Sequence, residues 1–232
     1  MKVICCAGQK QNGKDTLADY LMPRLVEALP THFDGEPDHW ERGAFAHAVK
    51  RVYCDTVDVD SEFIEEWKVK DECPPGFEMN VRKSLQFIGD GFRSIKGSIW
   101  IDLAFRNRRN SVVISDGRYP NELRTVADKC GVNILIYRPG WLNDDPNGSE
   151  SLIRPVVEWF IENGCEGHIW DQEDVTAPEL VRKVNLFIRN DGTIEDLYRK
   201  VDQVVLPYIV DHYTRGSHGE RVCRSSEQEV CS

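Results

Sequence analysis

The 232-residue chain has no apolar run approaching the ~20 residues that a membrane helix needs. It has no basic excess either: 29 Lys and Arg against 39 Asp and Glu give a net charge of −10, which argues against a protein that coats DNA or RNA. A local cationic pocket remains compatible with that balance, because pocket fields are set by nearby groups. Eight cysteines are present but no C-x-x-C pair. The close thiol spacing of zinc sites is therefore missing, and the expectation is reduced thiols without a disulfide framework. There is no internal repeat and no low-complexity block. The opening Met1–Cys6 is too short for a secretory apolar region and reads as a first strand. What is there is ordinary for a globular chain, 41% hydrophobic and 29% charged residues, enough for one good-sized core with a small subdomain inserted in it.

Along the chain, Lys2–Ala7 predicts a short apolar strand followed at once by a glycine-bearing loop. Leu17, Leu21, Leu25 and Val26 then recur at helical spacing over residues 15–29, with Pro23 expected to kink or divide that helix. Residues 31–43 are polar and turn-rich. Further helices are predicted over Phe45–Val57, Val81–Phe92 and Ile99–Arg106, around an acidic, proline-bounded excursion at Ser61–Glu78. Ser111–Ser115 is an apolar strand ending in Asp116, followed by a helix at Glu122–Cys130 and a strand at Asn133–Tyr137. A helix at Leu152–Asn163, a strand near Asn185–Ile188 and a last helix over Ile194–Val205 complete the pattern. Strands alternating with helices imply an α/β fold, a mostly parallel sheet covered on both faces. From Thr214 to Ser232 the chain turns polar and loses periodicity, so a disordered tail is expected.

The strongest motif is Gly8-Gln9-Lys10-Gln11-Asn12-Gly13-Lys14-Asp15-Thr16. It matches G-x-x-x-x-G-K, follows a strand and opens a helix, the setting in which backbone N–H groups turn inward around phosphate oxygens. Lys14 would reach the β- and γ-phosphates. Asp15 occupies the slot usually held by a Mg²⁺-binding Ser or Thr; Thr16 could supply the hydroxyl instead, or Asp15 could hold the metal directly or through water. The second motif is Val112-Val113-Ile114-Ser115-Asp116-Gly117-Arg118. It puts an acid at a strand's C-terminal end, where open α/β sheets bind ligands, with an arginine beside it to clamp phosphate. Arginines recur at element ends, namely Arg82, Arg138, Arg154, Arg182 and Arg189; Arg138-Pro139 at a strand end is the best placed. Trp100, Tyr119 and Phe45 are candidate base-stacking aromatics, against the plainer reading of core residues.

Taken in order, these segments resemble the phage deoxynucleoside monophosphate kinases, within the thymidylate- and adenylate-kinase-like P-loop group. The resemblance runs from about residue 2 to about 205. It rests on Gly13-Lys14-Asp15-Thr16, in which Asp after Lys is that family's own usage, and on Phe45–Lys50. It continues through Arg82 with Gln86 and Gly89, then Trp100, Ser115–Glu122, Tyr137–Gly140, Ser149-Glu150 and Arg189–Thr193. It implies a P-loop three-layer kinase domain over 1–213, with an acceptor-side excursion at about 31–98 and a lid or insertion at about 141–183. It implies ATP as phosphoryl donor with Mg²⁺ at Asp15 and Thr16, and donor contacts from Gly8, Asn12, Gly13, Lys14, Asp15, Thr16, Asn190 and Asp191. Acceptor contacts fall to Lys50, Arg82, Gln86, Trp100, Asp116 and Arg118, and Arg138 would act near the transferring phosphate. A small-molecule nucleotide partner, a cytoplasmic setting (host cytoplasm for a phage protein) and no membrane follow from it. A homodimer is left open.

Two departures touch the acceptor. The histidine that often precedes the Ser-Glu pair is replaced by Asp144-Asp145-Pro146-Asn147-Gly148, and Ser151–Lys183, with Trp159, His168 and Trp170, is longer than the compact version. The leading expectation is phosphorylation of a deoxynucleoside monophosphate. The second is phosphorylation of 5-hydroxymethyluracil within DNA, which would need a flipped base; the third is a nucleotide-binding module without turnover.

Overall fold

The computed structural model describes residues 1–32, 35–70, 72–141, 149–165 and 177–215. Loop residues Asp144–Gly148, with His168, Trp170 and the expected tail beyond Arg215, lie outside them. The described chain divides into two compact units, one formed by Met1–Arg42 with the chain from Arg109 onward, the other by Gly43–Arg108.

The larger unit is built on a five-stranded sheet. Its strands are β1 (Val3–Ala7), β2 (Trp40–Gly43), β3 (Ser111–Gly117), β4 (Val132–Tyr137) and β5 (Leu186–Arg189), in the order β2-β3-β1-β4-β5. β1 runs parallel to both β3 and β4, and β4 parallel to β5. Every residue of β1 is buried, as expected of a central parallel strand covered on both faces. Alternate residues serve opposite faces. Ile4 and Cys6 pack with Leu17, Leu21 and Leu25 of α1 (Lys14–Ala28) and with Ile209 and Tyr213 of the C-terminal helix. Each of those three fully buried leucines contributes about 1.5–3 kcal/mol. Elsewhere in this unit Phe187 stacks on Phe160 at 4.9 Å. The result is the α/β, mostly parallel architecture that the strand–helix alternation predicts.

The smaller unit holds α2 (Ala46–Val57), α3 (Ser61–Trp67), α4 (Val81–Ile95) and α5 (Ile99–Phe105). Its core is formed by two clusters, one around Trp100 with Ala48 and Val49, the other around Tyr53, Ile64 and Val81. Asn80 caps α4 by accepting from the Lys83 N–H at 2.9 Å. In the larger unit, α6 (Pro120–Asp128) and α7 (Arg154–Glu162) follow β3 and β4, and α8 (Ile194–Lys200) follows β5.

Three expectations need correction. α1 runs unbroken through Pro23, because Pro23 and Asp19, whose carbonyl loses its partner, both lie on the exposed face where water can serve that group. The segment read as turns contains β2. The last helix does not stop at Val205: after a π-helical turn at Val201–Val205, in which the Leu206 N–H reaches the Val201 carbonyl, it continues as α9 (Leu206–Arg215). The widened turn precedes Pro207, which has no N–H to give and crowds a regular turn. Among the described residues, Cys5, Cys6, Cys54, Cys73 and Cys165 are free thiols.

Candidate active site

The loop between β1 and α1 is shaped by contacts that leave no room for side chains. Gly8 has φ 141°, and a Cβ there would lie 2.3 Å from the Ile136 carbonyl oxygen. Gly13, at φ 97°, would place one 2.6 Å from the Asn190 amide nitrogen. Both are conformations that L-residues avoid. Asn12 is buried and donates to the Ile136 carbonyl at 3.2 Å, while Asn190 donates to the Asn12 carbonyl at 3.0 Å. The loop is thereby pinned to the ends of β4 and β5. Lys14 is only 6% exposed and its Nζ donates to the Gln9 carbonyl at 2.5 Å. The ammonium is held over the loop. Behind the loop, burial pushes the Cys6 thiol up to about 12 and raises that of Cys5 as well. Both therefore stay protonated and act as packing.

Asp15, in the first turn of α1, points outward, with its side chain 80% exposed. Its Oδ1 accepts from Ser115 Oγ at 2.6 Å and from Arg42 Nη2 at 3.3 Å. Arg42 also donates to Ser115 Oγ at 3.1 Å and pairs through Nε with Asp19 at 3.0 Å. Asp15 and half-buried Thr16 bring a carboxylate and a hydroxyl to the start of α1, the hard oxygen donors that suit Mg²⁺.

Register places the end of β3 beside this loop. Ala7 pairs with Gly117, and the Gly8 N–H donates to the Gly117 carbonyl at 3.3 Å. Asp116 and Arg118 flank that glycine and are half-buried. Buried Glu122 fixes the turn by accepting from the N–H groups of Arg118 at 2.8 Å and Tyr119 at 2.9 Å. On the other side of β1, Arg138 directly follows β4 and its guanidinium lies 5.0 Å over the ring of Trp141. Beyond β5, the Asn190 N–H donates to the Tyr137 carbonyl at 2.7 Å. Asp191 pairs with Arg189 at 2.9 Å and Lys200 at 3.2 Å. Burial alone would push its carboxyl up, but Lys200 and Arg189 outweigh it and hold it below the ordinary carboxylate range. Thr193 and Asp196 form a reciprocal cap that fixes the start of α8.

A pocket of about 500 Å³ opens here, lined by Gln11, Gly13–Thr16, Arg138, Trp141 and Asn190, with Gly192, Thr193, Ile194 and Leu197 about the start of α8. That volume is in the range of small-molecule sites. Of the residues expected to hold the donor, Gly13, Lys14, Asp15, Thr16 and Asn190 line it, whereas Gly8, Asn12 and Asp191 do not.

The expected acceptor residues divide between the two units. In the smaller one, Lys50 pairs with Glu65 at 2.7 Å, and Arg82 and Gln86 are exposed one turn apart on α4. Trp100 is 1% exposed and its indole N–H donates to the Gly89 carbonyl at 2.9 Å, and Phe45 is 2% exposed; both are packing residues of that unit. Asp116 and Arg118 belong to the larger one. Sequence reasoning missed Arg42, Ser115 as the partner of Asp15, and Trp141. The only local signal for Trp141 is an aromatic directly after Arg138-Pro139-Gly140, and Arg42 and Ser115 become visible only once sheet order is known.

No family model matches the chain. A protein of Acanthamoeba polyphaga mimivirus, named "Putative deoxynucleotide monophosphate kinase", is 29% identical over 180 residues, covering 69% of this chain and 86% of its own. Among solved structures, dephospho-CoA kinase from Campylobacter jejuni aligns over 90% of this chain and 98% of its own, at 14% identity and a TM-score of 0.37, a likeness too loose to carry an assignment. The mimivirus relative agrees with the resemblance read from the motifs.

Proposed function

We propose that the chain is an ATP-dependent nucleotide kinase that transfers the γ-phosphoryl group to a deoxynucleoside monophosphate. Nucleotide kinase activity is the coarse reading, supported by the P-loop and by the name of the mimivirus relative; the deoxynucleotide acceptor is the finer one. The observation that carries it is the Lys14 cradle, opening onto a pocket that also takes in Arg138 and the Asn190 loop.

In this reading the donor's phosphates lie against the N–H groups of Gly13–Thr16, with Lys14 on the β- and γ-oxygens. An acceptor phosphate oxygen attacks the γ-phosphorus in line as the bridging bond to the β-phosphate breaks, and ADP leaves. Lys14, Arg118 and Arg138 supply positive charge around the transferred group, and Asp116 orients the acceptor. Lys50, Arg82 and Gln86 are the further acceptor contacts that the family resemblance implies. Mg²⁺, held by Asp15 and Thr16, would neutralise charge on the donor's phosphates.

The test is incubation of the protein with labelled ATP and either the four deoxynucleoside monophosphates or duplex DNA containing 5-hydroxymethyluracil. Label is expected in a diphosphate product. Label found only in the polymer would transfer the assignment to a DNA-base kinase, and no transfer would leave a binding module. Lys14→Ala should lower kcat/KM on the order of 10²–10³-fold with an unchanged circular dichroism spectrum.

A further inference from the structure

Two large apolar side chains stand in the open at the mouth of the cationic cradle: Trp141, 45% exposed, and Ile194, 48% exposed. Single exposed hydrophobics are ordinary. These two come from different elements, the turn after β4 and the first residue of α8, and line one pocket together with Leu197. Neither is needed to close the core there. The indole is also held in place, with the Arg138 guanidinium over its ring at 5.0 Å.

Two of the polar lining residues on this side, Asn190 and Thr193, are engaged in local structure. The Asn190 amide nitrogen donates to the Asn12 carbonyl at 3.0 Å, and the Thr193 hydroxyl is used in the cap with Asp196. What Trp141 and Ile194 add to the polar groups of Gln11 and Arg138 in this pocket is a flat aromatic face and an aliphatic edge. A purine ring has the matching chemistry. We infer that Trp141 stacks on the base of the purine nucleoside triphosphate donor, with Ile194 against its edge, so that the donor base is held by its face. This rests on the proposed kinase reading and adds a base-positioning residue to it.

The test is calorimetric titration of the full chain with a non-hydrolysable ATP analogue and, in parallel, with inorganic tripolyphosphate, which has the phosphates but no base. Trp141→Ala should weaken the analogue about tenfold and leave tripolyphosphate unchanged, while Trp141→Phe should retain most of the analogue's affinity. Fluorescence gives a second reading: quenching of the indole emission by the analogue in the parent protein should be lost in Trp141→Phe. Equal binding of the analogue by the parent and Trp141→Ala would overturn the stacking role. So would an equal loss for both ligands, which would make Trp141 a support of the phosphate loop. A parent protein that binds tripolyphosphate but not the analogue would overturn this inference and the kinase reading together. Both variants alter an exposed side chain, and circular dichroism checks their fold.

Discussion

A single buried carboxylate shows how much one residue can carry. Asp38, with a fully buried side chain, accepts from Lys2 Nζ at 2.8 Å and from Ser111 Oγ at 2.7 Å. The same lysine reaches the Thr31 carbonyl. These bonds tie the start of β1 and β3 to the segment entering β2, at the sheet end away from the phosphate loop. Burial pushes the Asp38 carboxyl up, yet the hydrogen bonds from Lys2 and Ser111 and the charges of Lys2 and His32 outweigh it and hold it below its ordinary value. A group lowered in this way contributes stability above its unfolded value and loses it as pH falls through the folded one. Lys2→Met should therefore destabilise by about 3 kcal/mol at neutral pH, because it leaves an uncompensated buried charge. The deficit should shrink toward acid as Asp38 protonates, read from denaturant midpoints between pH 7 and pH 3. A deficit that stays constant over that range would remove Asp38 from the account.

At the scale of elements, the C-terminal helix is as much part of the core as the strands are. Tyr213 of α9 accepts from the Val3 N–H at 3.0 Å and donates to the Val3 carbonyl at 2.8 Å, bonding both backbone groups at the head of β1. Tyr213→Phe should cost about 1–3 kcal/mol, since the Val3 N–H would be left buried without this acceptor; loss of hydrogen-exchange protection at the Val3 amide is the expected result. α9 was illegible because Pro207 breaks the helical pattern at Leu206, and only Ile209 and Tyr213, four apart, mark its buried face. β2 was illegible for another reason: Trp40-Glu41-Arg42-Gly43 has no apolar alternation, and as an edge strand it needs none on its outer side. The Gly8–Thr16 loop was legible because its pattern is local, nine consecutive residues whose glycines and lysine fix the geometry. The Asp15–Ser115–Arg42 cluster joins positions 100 and 27 residues apart, and no local pattern could announce it.

For the molecule as a whole, the acidic balance and the cationic pocket have to be reconciled. A surface with net charge −10 works against a long polyanion, whose binding draws on many dispersed cations. A mononucleotide needs only the few charges that meet it, and in the larger unit Lys14 and Arg138 line one pocket. Ligand binding there should register as global stability, because a site formed from the ends of β1, β4 and β5 exists only in the folded chain. A non-hydrolysable ATP analogue at a hundred times its Kd should add about 2.7 kcal/mol, which for a chain of this size raises the melting temperature by about 5–10 °C. Differential scanning calorimetry with Mg²⁺ present measures this directly. In Lys14→Ala, at the same analogue concentration, most of the shift should vanish, because the weakened site is no longer saturated. A full shift in that variant would mean that the nucleotide binds somewhere other than the Gly8–Thr16 cradle.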